Sequence, residues 1–252
     1  MPLAIDACMA QHQGDRKEQQ DRLAILAHPS RKACVFAVVA DGMGGHEGGA
    51  QAAELVLTTA RDCFNDYVPG APSVGMSLLI NSMRSAHKAI HASRFQSEKD
   101  PHSTAVMLLL QPGNLCWAHC GDSRFYRFRG ADLLERTVDH SYVEYLLANG
   151  KITPRQAIDH PQQNLLLTSL GGEEEPVVAS GETSETQAGD TFVLCSDGLW
   201  AYFKEDELGR IVAGNSARTA CEMLIAGARE RAQGMGDNVS VVVIKLVEKH
   251  SS

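Results

Sequence analysis

Ala33-Cys34-Val35-Phe36-Ala37-Val38-Val39-Ala40 is an unbroken apolar run that stops at Asp41-Gly42. Its length and its turn-forming end read as a strand, and it is far too short to cross a bilayer. The same pattern recurs outward from it. Thr104 to Leu110 is turned by Pro112-Gly113-Asn114 into Leu115 to His119, which halts at Gly121-Asp122. Arg124 to Phe128 alternates polar and aromatic residues before Arg129-Gly130. Thr191 to Cys195 runs into Asp197-Gly198, and Asp237 sits just ahead of Val239 to Val247. Helical periodicity fills the stretches between: Gly48 to Phe64, Ser77 to Phe95 with Leu79, Met83, Ala86 and Ile90 on one face, and Ser216 to Ala232 with Ala217, Cys221, Leu224 and Ala228. Hairpin-linked strands with helices in separate blocks predict an α+β layered architecture, not the alternation of a dinucleotide-binding fold.

The whole chain agrees. Its 252 residues are 44% hydrophobic, enough for a proper core, and no linker or solenoid repeat divides them, so one domain over 1–252 is expected. A formal charge of −8 with scattered Lys and Arg argues against nucleic acid and against an anionic membrane surface as partners. Met1 to Asp15 carries no secretory pattern, which predicts a cytoplasmic protein. Seven irregularly placed cysteines make no disulfide framework. Cys116 and Cys120 flank His119 without a second ligand pair, so they read as buried thiols and not as a zinc site.

Asp41, Asp122, Asp197 and Asp237 each fall at a strand end or strand-linking turn, and each adjoins a glycine. Taken singly, an Asp-Gly pair is a common turn former. Taken together, ends that meet on one edge of a sheet layer bring several carboxylates face to face. Two like charges ~4 Å apart repel by about 4 kcal/mol at an effective dielectric near 20. Protons or cations must relieve that repulsion, and an all-oxygen donor set suits Mg²⁺ or Mn²⁺.

These blocks carry a resemblance. Arg16-Lys17-Glu18-Gln19-Gln20-Asp21, Val39-Ala40-Asp41-Gly42-Met43-Gly44-Gly45-His46, Ser103-Thr104, Ala118-His119-Cys120-Gly121-Asp122-Ser123-Arg124, Asp139-His140-Ser141, Ser196-Asp197-Gly198-Leu199-Trp200 and Gly236-Asp237-Asn238-Val239-Ser240 stand in the order of the motifs of PP2C-type (PPM) protein phosphatases. The chain resembles the bacterial branch of that family. The resemblance implies a four-layer αββα sandwich, two antiparallel sheets flanked by helices. It implies hydrolysis of phosphoserine and phosphothreonine in proteins by a hydroxide activated between two Mn²⁺ or Mg²⁺ ions. Asp41 would bridge both ions, Gly42 and Asp21 would serve one, Asp197 and Asp237 the other, and Asp122 a third, weaker ion. Arg16 would clamp the substrate phosphate. A monomer acting on phosphorylated proteins, opposed to a serine/threonine kinase and acting on that kinase and its targets, is implied as well. Two ions would bring the formal charge from −8 to −4, so an acidic chain can still accept an anionic substrate.

Four departures from the family pattern concern substrate handling: Gln19 for the usual Asn, Met43 where eukaryotic members carry a histidine, His102 before Ser103, and Leu167-Thr168-Ser169-Leu170-Gly171 without an arginine. Ser141 to Asn164 corresponds to the variable flap and predicts two short helices, the second starting at Thr153-Pro154. Competing readings fail on detail. Glu47 occupies the third glycine position of a dinucleotide loop, no Gly-Lys-Ser/Thr follows for a P-loop, and His119 and Ser123 are too close in sequence for a hydrolase triad. The remaining alternative is a catalytically weak phosphatase-fold module that is regulatory or binds phosphoproteins. His12, His28, His87, His91 and His160 show no partners in the sequence and read as surface or core residues.

Overall fold

The computed structural model describes residues 3–44, 47–94 and 100–249. Gly45-His46 of the Asp41 block and Phe95 of the second expected helix lie outside them. One sheet has the order β1 (Leu3–His12), β11 (Val239–Glu248), β10 (Asp190–Cys195), β7 (Arg124–Arg129), β8 (Asp132–Arg136). The other runs β2 (Asp21–Ala27), β3 (Val35–Met43), β5 (Ala105–Gln111), β6 (Asn114–Cys120), β9 (Ala179–Thr183), with the short β4 (His102–Ser103) on the end of β3. Every pairing is antiparallel.

The alternation of side chains along each strand builds three cores. From β3, Phe36, Val38 and Ala40 pack with Val56 of α1 (Glu47–Asn65) and Leu79 and Met83 of α2 (Pro72–Ser93). Val35, Ala37 and Val39 of the same strand meet Phe192, Leu194, Val242 and Ile244 of the opposite sheet. Val193, Val241 and Val243 then pack outward on Leu208 and Val212 of α6 (Glu205–Gly214) and on Leu224 and Ala228 of α7 (Ala217–Ala232). The order of layers is helix, sheet, sheet, helix, as the motif resemblance implies. The apolar runs Ala33–Ala40, Thr104–Leu110 and Leu115–His119 have no polar face because both sides of β3, β5 and β6 are covered.

Helix ends follow local chemistry. α2 starts five residues before Ser77, with Pro72 in its first turn, a position where the missing N–H costs nothing. α7 starts where the Ser216 hydroxyl accepts the Thr219 N–H at 3.2 Å. Two short helices, α3 (Tyr142–Ala148) and α4 (Pro154–Ile158), occupy the 141–164 segment as expected. The Ser141 hydroxyl caps the first, and a reciprocal Thr153–Gln156 box caps the second. Among the described residues, no helix is long and apolar enough to cross a membrane.

Candidate metal centre

Asp41 stands two residues before the end of β3, directly across from Asp21, the first residue of β2. Its backbone is fixed from the next strand. The Asp41 N–H donates to Thr104 Oγ1 at 3.3 Å, and its carbonyl accepts from the Thr104 N–H at 2.9 Å and the Ser103 hydroxyl at 3.0 Å. Thr104 Oγ1 in turn lies 2.7 Å from Ser123 Oγ. The Ser103-Thr104 pair, conspicuous in the sequence only as a motif, is thus a clamp on Asp41. Gly42 is required by close approach: a Cβ there would lie 2.0 Å from the Gly49 carbonyl oxygen and 2.8 Å from that of Gln20.

The other carboxylates come from four further elements. Asp21 is fully buried; its Oδ2 accepts the Ser196 hydroxyl at 2.8 Å, and Ser196 Oγ accepts the Ser240 N–H at 3.0 Å. Asp21 Oδ1 is buried with no hydrogen-bond partner. Asp197 does not end a strand; it opens α5 (Asp197–Trp200), a single turn after β10. Asp122 lies in the turn between β6 and β7, its carbonyl accepting the Trp200 indole N–H at 2.9 Å. Asp237 precedes β11, with Oδ1 accepting the Asn238 N–H at 2.8 Å and Oδ2 accepting Arg16 at 2.5 Å. Asn238, to which the sequence reading gave no separate role, ties this loop to the one bearing Arg16. Its carboxamide accepts the Gln20 N–H at 2.7 Å and donates to the Gln13 and Glu18 carbonyls at 2.7 and 2.9 Å.

All seven candidate residues therefore meet at one place except for the direct burial of Asp21 beneath it. Arg16, Asp41, Gly42, Asp122, Asp197 and Asp237 line a cleft of about 600 Å³ together with Lys17, Met43 and Asn164. The Asp41 and Asp197 carboxyls lie within hydrogen-bonding reach of one another. Burial, then repulsion from Asp21, Asp197, Asp122 and Asp237, holds the Asp41 carboxyl well above the usual carboxylate range. Burial and the charge of Asp237 push Asp197 to about 6. Asp21 rises to about 7, through burial opposed by the Ser196 hydrogen bond, and Asp122 to about 8, through burial and the charge of Asp197.

No three His, Cys, Asp or Glu side chains among the described residues already converge on a single coordination point. Arg16 bonds Asp237, and the Asp41 and Asp197 carboxyls lie beside each other. The donor set nonetheless fits hard divalent cations. It is all oxygen, it carries more negative charge than Arg16 offsets, and Asp21 Oδ1 is an unmatched buried acceptor.

The neighbouring motifs resolve into supporting roles. Arg124 grips Asp139 through two bonds of 2.8 and 2.7 Å and stacks over Trp200 at 3.6 Å, fixing the Asp122 turn. His119 Nε2 meets the Val138 carbonyl at 2.9 Å, while Ser123 is held by Thr104, so the pair makes no hydrolase dyad. Cys116 and Cys120 are buried free thiols, in line with the sequence reading. The five histidines that showed no partners in the sequence do have partners. His12, His87 and His160 accept the backbone N–H groups of Gly14, Gly171 and Gln162, while His28 and His91 bond the carbonyls of Tyr67 and Gly172. A separate hollow of about 650 Å³ is lined wholly by residues 158–165 and shares Asn164 with the cleft.

Comparison with known proteins points the same way. Residues 10–234 match the sequence profile of the family described as Protein phosphatase 2C. The serine/threonine protein phosphatase PstP of Mycobacterium tuberculosis is 33% identical over 217 residues, covering 83% of this chain and 40% of that protein. This chain thus spans well under half the length of that relative. The serine/threonine phosphatase stp of Listeria monocytogenes is 31% identical over 213 residues, covering 82% of this chain and 83% of the relative. The crystal structure of the catalytic domain of PstP in complex with two manganese ions superposes with a TM-score of 0.82 at 28% identity, covering 98% of this chain and 100% of that one.

Proposed function

This chain belongs to the protein phosphatase 2C family, and from that premise we propose that it is a metal-dependent protein serine/threonine phosphatase. The observation that carries the reading is the cluster of mutually repelling aspartates, Asp21 buried and the other four half-buried, brought from five elements to one cleft with an arginine at its edge. Asp41 would be shared by two ions. The Gly42 carbonyl and Asp21 would serve one of them, Asp197 and Asp237 the other, and Asp122 would help hold a third, weaker one. Bound Mn²⁺ or Mg²⁺ would supply acidification of water and neutralisation of charge on the phosphoryl oxygens.

The chain's own residues do the rest. Ser103 and Thr104 hold Asp41 in place, Ser196 orients Asp21, and Asn238 fixes the loop carrying Arg16. Arg16 is exposed enough to leave Asp237 and grip a phosphate with two parallel hydrogen bonds. Met43 offers no proton, so the leaving serine or threonine takes its proton from solvent. The physiological substrates are phosphoproteins, with a serine/threonine kinase as antagonist and among the targets. The chain acts as one cytoplasmic, monomeric domain whose flap is 141–164. Phosphate release from p-nitrophenyl phosphate and from a phosphothreonine peptide, dependent on Mn²⁺ and abolished by EDTA, tests the reading. Phosphopeptide binding without release would replace it with a binding module.

A further inference from the structure

Outside the cleft, two thiols are packed against each other for no purpose that the proposed chemistry requires. Cys8 lies in the middle of β1, half-buried, where it pairs with Val243 of β11. Its side chain faces the helical layer and packs on the cluster that contains Cys221 of α7. Cys221 is fully buried, and its thiol donates to the Cys8 carbonyl at 3.5 Å. The two side chains are also within mutual hydrogen-bonding reach. Ala10 on the strand and Ala217 and Ala220 on the helix are small, which lets the two backbones approach closely. Close backbone approach is the requirement for a disulfide, whose Cα atoms lie within about 7 Å.

We propose that Cys8 and Cys221 form a reversible disulfide when the protein meets a peroxide, stapling the edge strand β1 to α7. Cys8 is the accessible partner. Its sulfur attacks one oxygen of hydrogen peroxide, the O–O bond breaks, and a sulfenic acid and one water result. The Cys221 sulfur then attacks the Cys8 sulfur, the S–O bond breaks and a second water leaves. Two thiols and one hydrogen peroxide become one disulfide and two waters. Burial and the adjacent Cys8 hold the Cys221 thiol protonated, so Cys8 is the thiol that meets the peroxide first, and the Cys221 proton leaves with the sulfenic oxygen in the second water.

The staple sits at a useful place in the fold. Among the described residues β1 pairs only with β11, so one of its edges is open. β1 runs directly into the loop bearing Arg16, and α7 runs into the loop bearing Asp237. Those loops are joined by the Asp15 N–H to the Gly236 carbonyl and the Gly236 N–H to Asp15 Oδ2, at 2.9 and 2.8 Å. A cross-link at their base makes the two supports one unit.

The test is a thiol count and a non-reduced peptide map of the folded full chain after stoichiometric hydrogen peroxide. Counted after the treated chain is denatured without reductant, free thiols should fall from seven to five, with a Cys8–Cys221 peptide that dithiothreitol cleaves. The oxidised chain should melt at a higher temperature than the reduced one. Cys8→Ser and Cys221→Ser should each abolish the cross-link and the melting shift, whereas Cys63→Ser on α1 should keep both. Because Cys8 is half-exposed, Cys8→Ser is informative even if the buried substitution folds poorly. Conversion of Cys8 to sulfinic or sulfonic acid with Cys221 still alkylatable would overturn the proposal. So would a cross-link between any other pair, or seven intact thiols after treatment.

Discussion

Two buried acidic sites in this molecule solve the same problem in opposite ways. Asp190, at the start of β10, is fully buried and receives Arg127 at 3.0 Å, Arg129 at 2.7 Å and the Gln187 N–H at 3.2 Å. Its charge is neutralised from within the sheet, and nothing further is needed. At the other end of the same strand, Asp197 lies with Asp41, Asp21 and Asp122, and the arginine in reach, Arg16, is taken by the more exposed Asp237. The first arrangement is a structural pair. The second leaves a debt of charge that only protons or added cations can settle. Burial alone therefore does not distinguish a functional carboxylate; the balance of charge around it does.

The same substitution at the two sites should have opposite consequences. Asp190→Asn strands the buried Arg127 and should cost about 3–5 kcal/mol of stability, the scale of breaking a buried ion pair. Asp41→Asn removes a carboxyl whose charge is disfavoured by burial and by Asp21, Asp197, Asp122 and Asp237, and should stabilise the metal-free fold at pH 8. It should also cut phosphatase turnover about 100-fold or more, comparable to losing one transition-state electrostatic contact. Denaturant melts of both variants in EDTA, with activity measured in Mn²⁺, check the pair. A destabilised Asp41→Asn would end the contrast.

Divalent cations should act on one site and not on the other. At ~100 times the dissociation constant, one ion contributes roughly 2.7 kcal/mol through mass action. Mn²⁺ or Mg²⁺ should therefore raise the melting temperature of the wild type and of Asp190→Asn alike, and raise that of Asp41→Asn less. An unchanged wild-type melting curve across millimolar Mn²⁺ would contradict a shared carboxylate site.

The pH dependence sharpens the comparison further. The folded-state values of Asp197, Asp21 and Asp122, about 6, 7 and 8, all exceed the ordinary carboxylate value. The folded chain then binds more protons than the unfolded one, so this cluster favours folding at low pH and loses that advantage as pH rises. In EDTA the contribution should be full near pH 4 and gone above about pH 8, across the window set by those values. The melting increment from Mg²⁺ should grow over the same interval. Scans from pH 5 to 8 with and without the ion would show it, and a metal-free stability that climbs steadily with pH would refute it.

Much of this was legible in the sequence, for a reason that also explains the gaps. β3, β5 and β6 are covered on both faces, so they read as uninterrupted apolar runs. β1 mixes Asp6, Gln11 and His12 with small residues because it is an edge strand, and Asp6 is spent capping α7 through the Ala217 N–H at 2.8 Å. β9, Ala-Ser-Gly-Glu-Thr, is a polar edge, and Gly181 is there because a Cβ would lie 2.2 Å from the Trp117 ring. Neither strand leaves a periodic signal. At the site, the aspartates were legible because turn chemistry and motif order mark them. The residues that hold them were not: Ser196 and Asn238 act through contacts spanning most of the chain, and Ser240 acts through Ser196. Gln19, a departure from the family pattern, proves to accept the Asp21 N–H at 2.9 Å, so it keeps a positioning role.

Arg16 tests the exposed edge of the cluster. Its pair with Asp237 is 62% and 38% exposed, and such a pair contributes at most about 1 kcal/mol. Arg16→Ala should thus barely change melting, yet raise KM for a phosphopeptide roughly 10-fold, the worth of a charge-assisted hydrogen bond. Arg16→Lys should recover only part of the loss, since an ammonium cannot reproduce the planar fork. Unchanged KM with collapsed metal affinity would make Arg16 a support for Asp237 instead.

The smallest expected effect on the chemistry lies in the 141–164 segment. It carries none of the candidate ligands, and its two helices are capped by their own residues, Ser141 and the Thr153–Gln156 box. The ion pair that fixes the Asp122 turn, Arg124–Asp139, lies just before it. Exchanging the segment therefore leaves that support in place. Its far end nevertheless reaches the cleft through Asn164, beside the hollow lined by residues 158–165, and Ile158 there is 71% exposed. A substrate large enough to extend from the cleft over Asn164 meets this surface; p-nitrophenyl phosphate does not. Replacing 141–164 with a relative's segment should change the order of preference among phosphoproteins while keeping p-nitrophenyl phosphate turnover within about two-fold, because remote binding energy is available only to the large substrate. Parallel losses on both substrates would mean that the segment supports the aspartate cluster itself, and the division between chemistry and docking would have to be abandoned.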